Sequence, residues 1–123
     1  MSSALRTLAL VSELTLAFTL AQALPVMADE LTPKHAAGRE VYLKWCAPCH
    51  APGITHPGTH ALMTKYQGVK SGVLLEWIDL PAGTVKYTVR HGISVMPQFR
   101  KTEINDAELD ALAQYLSRNT PRS

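Results

Sequence analysis

The run Cys46-Ala47-Pro48-Cys49-His50 concentrates more chemistry than any other stretch of the chain. Two thiols two residues apart, followed at once by an imidazole, have the C-x-x-C-H spacing of c-type haem attachment. The thiols can reach the two vinyl groups of a porphyrin, and the adjacent His can offer a ring nitrogen to the iron from the proximal side. Two other readings of these residues stand beside it. A disulfide or thioredoxin-like site wants a βαβ setting, whereas here a helical pattern precedes the motif and strands are scarce. A zinc site would draw on Cys46, Cys49, His56 and His60. Only six residues separate Cys49 from His56, where finger-type sites use about 12, and no ββα pattern surrounds them.

A haem iron also needs an answer on its other face. Met96, just before Pro97 in a stretch without helical periodicity, is the natural sixth ligand. His/Met ligation fills both axial positions, which suits electron transfer and discourages O2 chemistry. Against this stand Met96 as ordinary core filler, Met63 as a rival ligand, and a bis-His iron using His56, His60 or His91. Met63 falls in a helical stretch beside Leu62, and histidines in loops and at helix ends are ordinarily solvated.

The elements that must hold these groups read as helices. His35 to Trp45 has Val41, Tyr42 and Trp45 at helical spacing. Ala47 to Gly58, with Pro48, Pro52, Gly53, Pro57 and Gly58, reads as loop. Leu62–Tyr66 and Val73–Ile78 suggest two short helical pieces. Pro81–Arg90 carries Val85 and Val89 at i,i+4, with Gly92 placed for an αL stop. Ile93–Lys101, broken by Pro97, reads as extended or looped. The last helix opens with Asn105 as N-cap, Glu108 as capping-box partner, and Ile104 and Leu109 as a hydrophobic staple. Leu109, Leu112, Tyr115 and Leu116 form its apolar stripe. No segment alternates at period two for long, and the expected fold is all-α.

With 123 residues, 46% hydrophobic and 18% charged, the chain fits one globular domain. Twelve basic against 10 acidic residues leave +2, with no basic excess for nucleic acid. Two cysteines cannot build a disulfide scaffold, and no P-loop or Gly-x-Gly-x-x-Gly is present. At the start, Arg6, the apolar runs Leu8–Val11 and Leu14–Leu24, and then Val26 and Ala28 have the order of a secretory signal cut after Ala28. The apolar run after Glu13 is short of the roughly 20 residues of a membrane span. The expected organisation is a signal peptide over 1–28, a leader over 29–35, a domain over 36–118 and a tail over 119–123. The mature protein is then periplasmic, with no membrane span after cleavage. A domain this small is marginal alone and calls for a staple such as a large apolar cofactor.

Taken together, the sequence resembles the class I monohaem cytochrome c family across residues 36–118. The resemblance rests on Gly38-x-x-x-Tyr42-x-x-x-Cys46-x-x-Cys49-His50, on His56-Pro57-Gly58, on Val89-Arg90-x-Gly92-x-x-x-Met96-Pro97-x-Phe99, and on Glu108-Leu109-x-x-Leu112-x-x-Tyr115-Leu116. It implies that the first and last helices cross, with Gly38 letting the backbones close in beside Tyr42 and Tyr115. It also implies that the Pro57 carbonyl accepts from the second nitrogen of His50. The family's usual Gly-x-Gly-Pro is Ile54-Thr55-His56-Pro57 here. His56-Pro57-Gly58-Thr59 and the Val89 to Phe99 stretch are similar, more particularly, to cytochrome subunits of flavocytochromes that hydroxylate 4-alkylphenols, the p-cresol methylhydroxylase and eugenol hydroxylase type. That likeness implies one covalent haem c, held by Cys46 and Cys49 and ligated by His50 and Met96. It further implies a flavoprotein partner that oxidises the phenol, and a downstream redox protein that takes the electrons.

Three functional readings follow. The first is that electron-acceptor subunit, which performs no bond chemistry itself. The second is a free carrier serving another dehydrogenase or oxidase. The third is a haem sensor or peroxidase with an open sixth site. Arg90 is placed either near a haem propionate, through charge-assisted bonds, or as a solvated helix charge. Trp45, Tyr66, Trp77, Tyr87 and Phe99 are expected to wall the crevice or fill the core. Lys34, Lys44, Lys65 and Lys70 form a docking ring or are simply solvated.

Overall fold

Thr32 starts the first helix by accepting the His35 N–H on its hydroxyl at 3.3 Å, with Pro33 at the first helical position. The structure is a computed structural model and describes residues 32–121; the expected signal segment and residues 29–31 of the leader lie outside the described residues. Helix α1 runs Pro33–Val41, so residues 33–35 of the expected leader form its first turn.

The chain does not stop there. Tyr42–Cys46 widens into a π-helical turn in which the Ala47 N–H reaches back to the Tyr42 carbonyl, and α2, Ala47–His50, follows without a break. Pro48 explains the widening. In an uninterrupted α-helix its ring would collide with the carbonyl four residues earlier. The first part of the expected Ala47–Gly58 loop is therefore helical, and only Ala51–His56 is irregular. Helix α3, Pro57–Tyr66, takes Pro57 at its first position and ends on Gln67 in the left-handed conformation.

Leu74–Glu76 is a single 3₁₀ turn, and α4 spans Ala82–His91. Gly92 ends α4 at φ 72°, ψ 173°. This is not the expected αL stop but an extended conformation on the positive-φ side, a region essentially limited to glycine. Helix α5, Asp106–Leu116, opens with both halves of the capping box: Asn105 Oδ1 accepts from the Glu108 N–H at 2.9 Å, and the Glu108 carboxylate accepts from the Asn105 N–H at 2.8 Å.

The largest helix-to-helix interface joins α1 to α5. A Cβ on Gly38 would overlap the Ala111 carbonyl oxygen and lie 2.6 Å from Tyr115 Cβ, so glycine is required at this crossing. The rings of Tyr42 and Tyr115 meet there with centroids 6.0 Å apart. The fold is all-α: the described residues contain no strand, only an isolated bridge between Ile93 and Met96. One core gathers Val41, Tyr42 and Cys46 from the first helical run, Trp77 and Leu80 from the middle, Val85 and Val89 from α4, and Ile104, Leu109, Leu112 and Leu116 around α5. Beyond α5, Asn119 donates to the Leu75 carbonyl and the Thr120 hydroxyl bonds both backbone groups of Leu80. Those two tail residues thus fasten the middle of the chain. Among the described residues no helix is long and apolar enough to cross a membrane.

Candidate haem site

Both thiols and the imidazole sit within one stretch of continuous helix, from the end of the π-turn to the end of α2. Cys46 faces inward at 7% exposure, whereas Cys49 is exposed; both are free thiols. Burial, and then the neighbouring Cys49, push the Cys46 thiol up to about 12. His50 is half-buried, and burial holds its pKa below the usual histidine range, so the ring is neutral as an iron ligand must be.

Side chains from the start of the π-turn, from the N-cap of α3 and from α3 itself grip this turn through its free C-terminal carbonyls, the groups a helix end leaves unpaired. The Tyr42 hydroxyl donates to the His50 carbonyl at 2.8 Å. His56 Nδ1 lies 3.1 Å from the Pro48 carbonyl, a donor's position for the Nδ1–H tautomer. The hydroxyl of Thr59, a buried residue, donates to the Ala51 carbonyl at 2.8 Å. The imidazole is seated by a glycine: a Cβ on Gly58 would come within 2.7 Å of His50 Cε1 and 2.9 Å of Nδ1.

His50 Nδ1 corrects one expectation. It is the one buried side-chain nitrogen or oxygen without a hydrogen-bond partner among the described residues, so the Pro57 carbonyl does not receive it. Pro57 is the first residue of α3, and its carbonyl is committed to the direction of that helix. The ring instead occupies the space that a side chain at Gly58 would need. In this chain, packing rather than a second hydrogen bond orients the imidazole.

The Met96 segment is tied to α4 through Phe99, whose N–H donates to the Val89 carbonyl at 2.8 Å. Met96 is half-buried and packs against the core. It exchanges backbone bonds with Ile93 at 3.1 and 2.9 Å, a tight turn that Gly92 permits, since a Cβ there would meet the Met96 carbonyl at 2.7 Å. The Phe99 ring stands edge-on to Trp45, centroids 5.9 Å apart. This contact ties the Met96 segment to the residue beside Cys46.

Arg90 is not a solvated helix charge: its side chain is 19% exposed. Its Nη1 donates to the Phe99 carbonyl and its Nη2 to Asp106, each at 3.0 Å. Trp77 is buried, stands edge-on to Tyr66, and donates its indole N–H to the Ser71 carbonyl at 2.7 Å. Tyr87 departs from the expected wall: it is 65% exposed and stacks on His91 at 4.1 Å. Of the proposed docking lysines, Lys70 sits 3.5 Å above the Trp77 ring and pairs with Asp79, and Lys44 and Lys65 lie over Trp45 and Tyr66; the Lys34 side chain lies outside the described residues.

The alternatives to haem find no support in this geometry. Among the described residues no three His, Cys, Asp or Glu side chains gather where a metal ion could sit, and His56 turns its Nδ1 to Pro48. His60, His91 and Met63 are exposed. Sequence reasoning missed the hydroxyl of Tyr42, the bridging role of Arg90, and Gly58 as the seat of the imidazole. The sequence places Tyr42 on a helix face and at the helix crossing, and Arg90 beside a propionate or in solvent, in neither case against a main-chain carbonyl. A signal was present for the third, because a glycine directly follows a helix-starting proline.

The all-helical fold and the paired thiols with a neutral imidazole define a cytochrome c domain. Residues 33–116 match the family described as cytochrome c oxidase, cbb3-type, subunit III, and the chain belongs to that cytochrome c family. With it come a covalently bound haem c and a role in electron transfer rather than in bond-making. More particularly, the chain is 33% identical over 81 residues to the 4-cresol dehydrogenase [hydroxylating] cytochrome c subunit of Pseudomonas putida. That match takes in 66% of this chain and 58% of the relative, under two thirds of the relative's length.

Proposed function

We propose that the chain is a periplasmic one-electron carrier that accepts electrons from a flavoprotein oxidising 4-alkylphenols and passes them to a further redox protein. In this reading residues 1–28 are a signal peptide, Cys46 and Cys49 hold haem c through thioethers, and His50 and Met96 ligate the iron on its two faces. The bound haem supplies a single-electron couple at iron. The chain's own residues hold and orient it: Tyr42, His56 and Thr59 fix the attachment turn, and Gly58 seats the imidazole.

One observation carries the reading. A neutral, desolvated imidazole ends the same helical turn that bears both thiols. Its Nδ1 is buried against Gly58, which leaves Nε2 as the nitrogen for iron. The phenol-oxidising partner is supported by likeness to the cresol dehydrogenase subunit, and a carrier serving an oxidase is the second reading, favoured by the matched family's description.

Absorption spectra of the purified protein, oxidised and reduced, test the site. A c-type reduced spectrum with a near-infrared methionine-to-iron band, lost in Met96→Ala, is the expected result. A haem spectrum without that band would remove Met96 as ligand and revive the open-site sensor; no haem would overturn the attachment itself. Flavin copurifying from native extract separates the two partner readings, since an oxidase-linked carrier would bring none.

A further inference from the structure

We infer that Arg90 is a positioning residue that holds the Met96 segment against the domain, acting through Phe99; the inference rests on Met96 as the second haem ligand. Phe99 is tethered to α4 by both of its backbone groups. Its N–H donates to the Val89 carbonyl at 2.8 Å, and its carbonyl accepts from Arg90 Nη1 at 3.0 Å. Two consecutive residues of α4 thus grip one residue of the segment, only Pro97 and Gln98 away from Met96. On the other side Met96 is closed by its two backbone bonds to Ile93. Met96 therefore lies between two anchors, with the fixed φ of Pro97 limiting how far the chain can bend between them.

The second arm of the guanidinium reaches α5. Arg90 Nη2 donates to Asp106 Oδ1 at 3.0 Å, and the other carboxylate oxygen accepts from Lys101 Nζ at 2.7 Å. The Arg90 side chain is 19% exposed, the Asp106 side chain far more so. The carbonyl bond is accordingly the stronger restraint, and the surface ion pair mainly aims the guanidinium. A planar fork can serve both acceptors at once; an ammonium on a flexible stem holds one geometry poorly.

External imidazole reads this restraint directly in the haem-loaded protein. It takes the sixth position only when the methionine leaves, so its apparent affinity scales with the fraction of molecules whose segment is open. Arg90→Gln is expected to bind imidazole about tenfold more tightly than the wild type, with the methionine-to-iron band lost at correspondingly lower imidazole. Asp106→Asn, which keeps the carbonyl bond, should shift affinity by about threefold or less, and Arg90→Lys should fall between the two. A residue that only stabilised the fold would lower the melting temperature and leave imidazole affinity unchanged where the protein is folded. An Arg90→Gln affinity within about twofold of wild type, the band being present in both, overturns the clamp. If Arg90→Gln does not fold, Arg90→Lys carries the same comparison: an unchanged affinity overturns the clamp and an increase supports it. A wild type without the band, binding imidazole as tightly as Met96→Ala, is a different failure, that of Met96 as ligand.

Discussion

Tyr42 and Gly58 act on the same residue, His50, the one through its main chain and the other through its imidazole. Tyr42 holds the main chain of His50 with a hydroxyl whose pKa is pushed up to about 12, first by burial and then by Cys46. Tyr42→Phe keeps the ring packing and leaves the half-buried His50 carbonyl without that donor. We expect a loss of about 1 kcal/mol, read from thermal or denaturant melts of the haem-loaded protein. Gly58→Ala puts a methyl into the imidazole. It should lower the ratio of haem to protein absorbance several-fold, while Gly83→Ala, where a Cβ meets nothing within 4 Å, should not. The candidate attachment residues Cys46, Cys49 and His50 could be picked out from type and spacing alone, because C-x-x-C-H is a chemical pattern. The hydroxyl bond and the Arg90 bridge could not. Each ends on a main-chain carbonyl, that of His50 or of Phe99, and a carbonyl carries no side-chain signature.

The crossing of α1 and α5 is set by backbone proximity, so it depends on a missing atom. Gly38→Leu drives a side chain into the Ala111 carbonyl, which cannot give way as a side-chain tip could. Overpacking of this kind is expected to cost about 3 kcal/mol, and a melt unchanged from wild type would contradict the crossing. Helix α5 was readable in full because its cap, staple and stripe are all local signals. The attachment run was misread as loop because proline counts as a breaker. Here Pro48 sits in helix and Pro57 begins one, and the widened turn at Tyr42–Cys46 absorbs the first of them. No sequence rule announces a π-turn; it is what remains when tertiary packing insists on a helix that a proline opposes.

Acid should weaken the domain through two carboxylates held below their ordinary range. Asp106 is held low first by the Lys101 and Arg90 hydrogen bonds, and Glu103 first by the Arg100 backbone N–H. Their stabilisation is present above the ordinary carboxylate range, near 4, and is lost as pH drops below it. Denaturant midpoints of the haem-loaded protein should therefore fall on acidification through that window; a rise would contradict the sign. The double variant Cys46→Ala/Cys49→Ala, unable to retain haem covalently, should lose cooperative helicity by circular dichroism, because a domain this small is marginal without its cofactor.

The α1–α5 interface also has a consequence in time. The two helices that close the domain stand at opposite ends of the described sequence, so their pairing is a long-range event that local structure cannot anticipate. A chain appearing from its N-terminus must wait for its last helix before α1 has anything to pack on. Throughout that interval Cys46, sequestered at 7% exposure in the finished domain, is as open to chemistry as Cys49. The order in which the helices are made thus leaves a window for attachment that the completed fold closes.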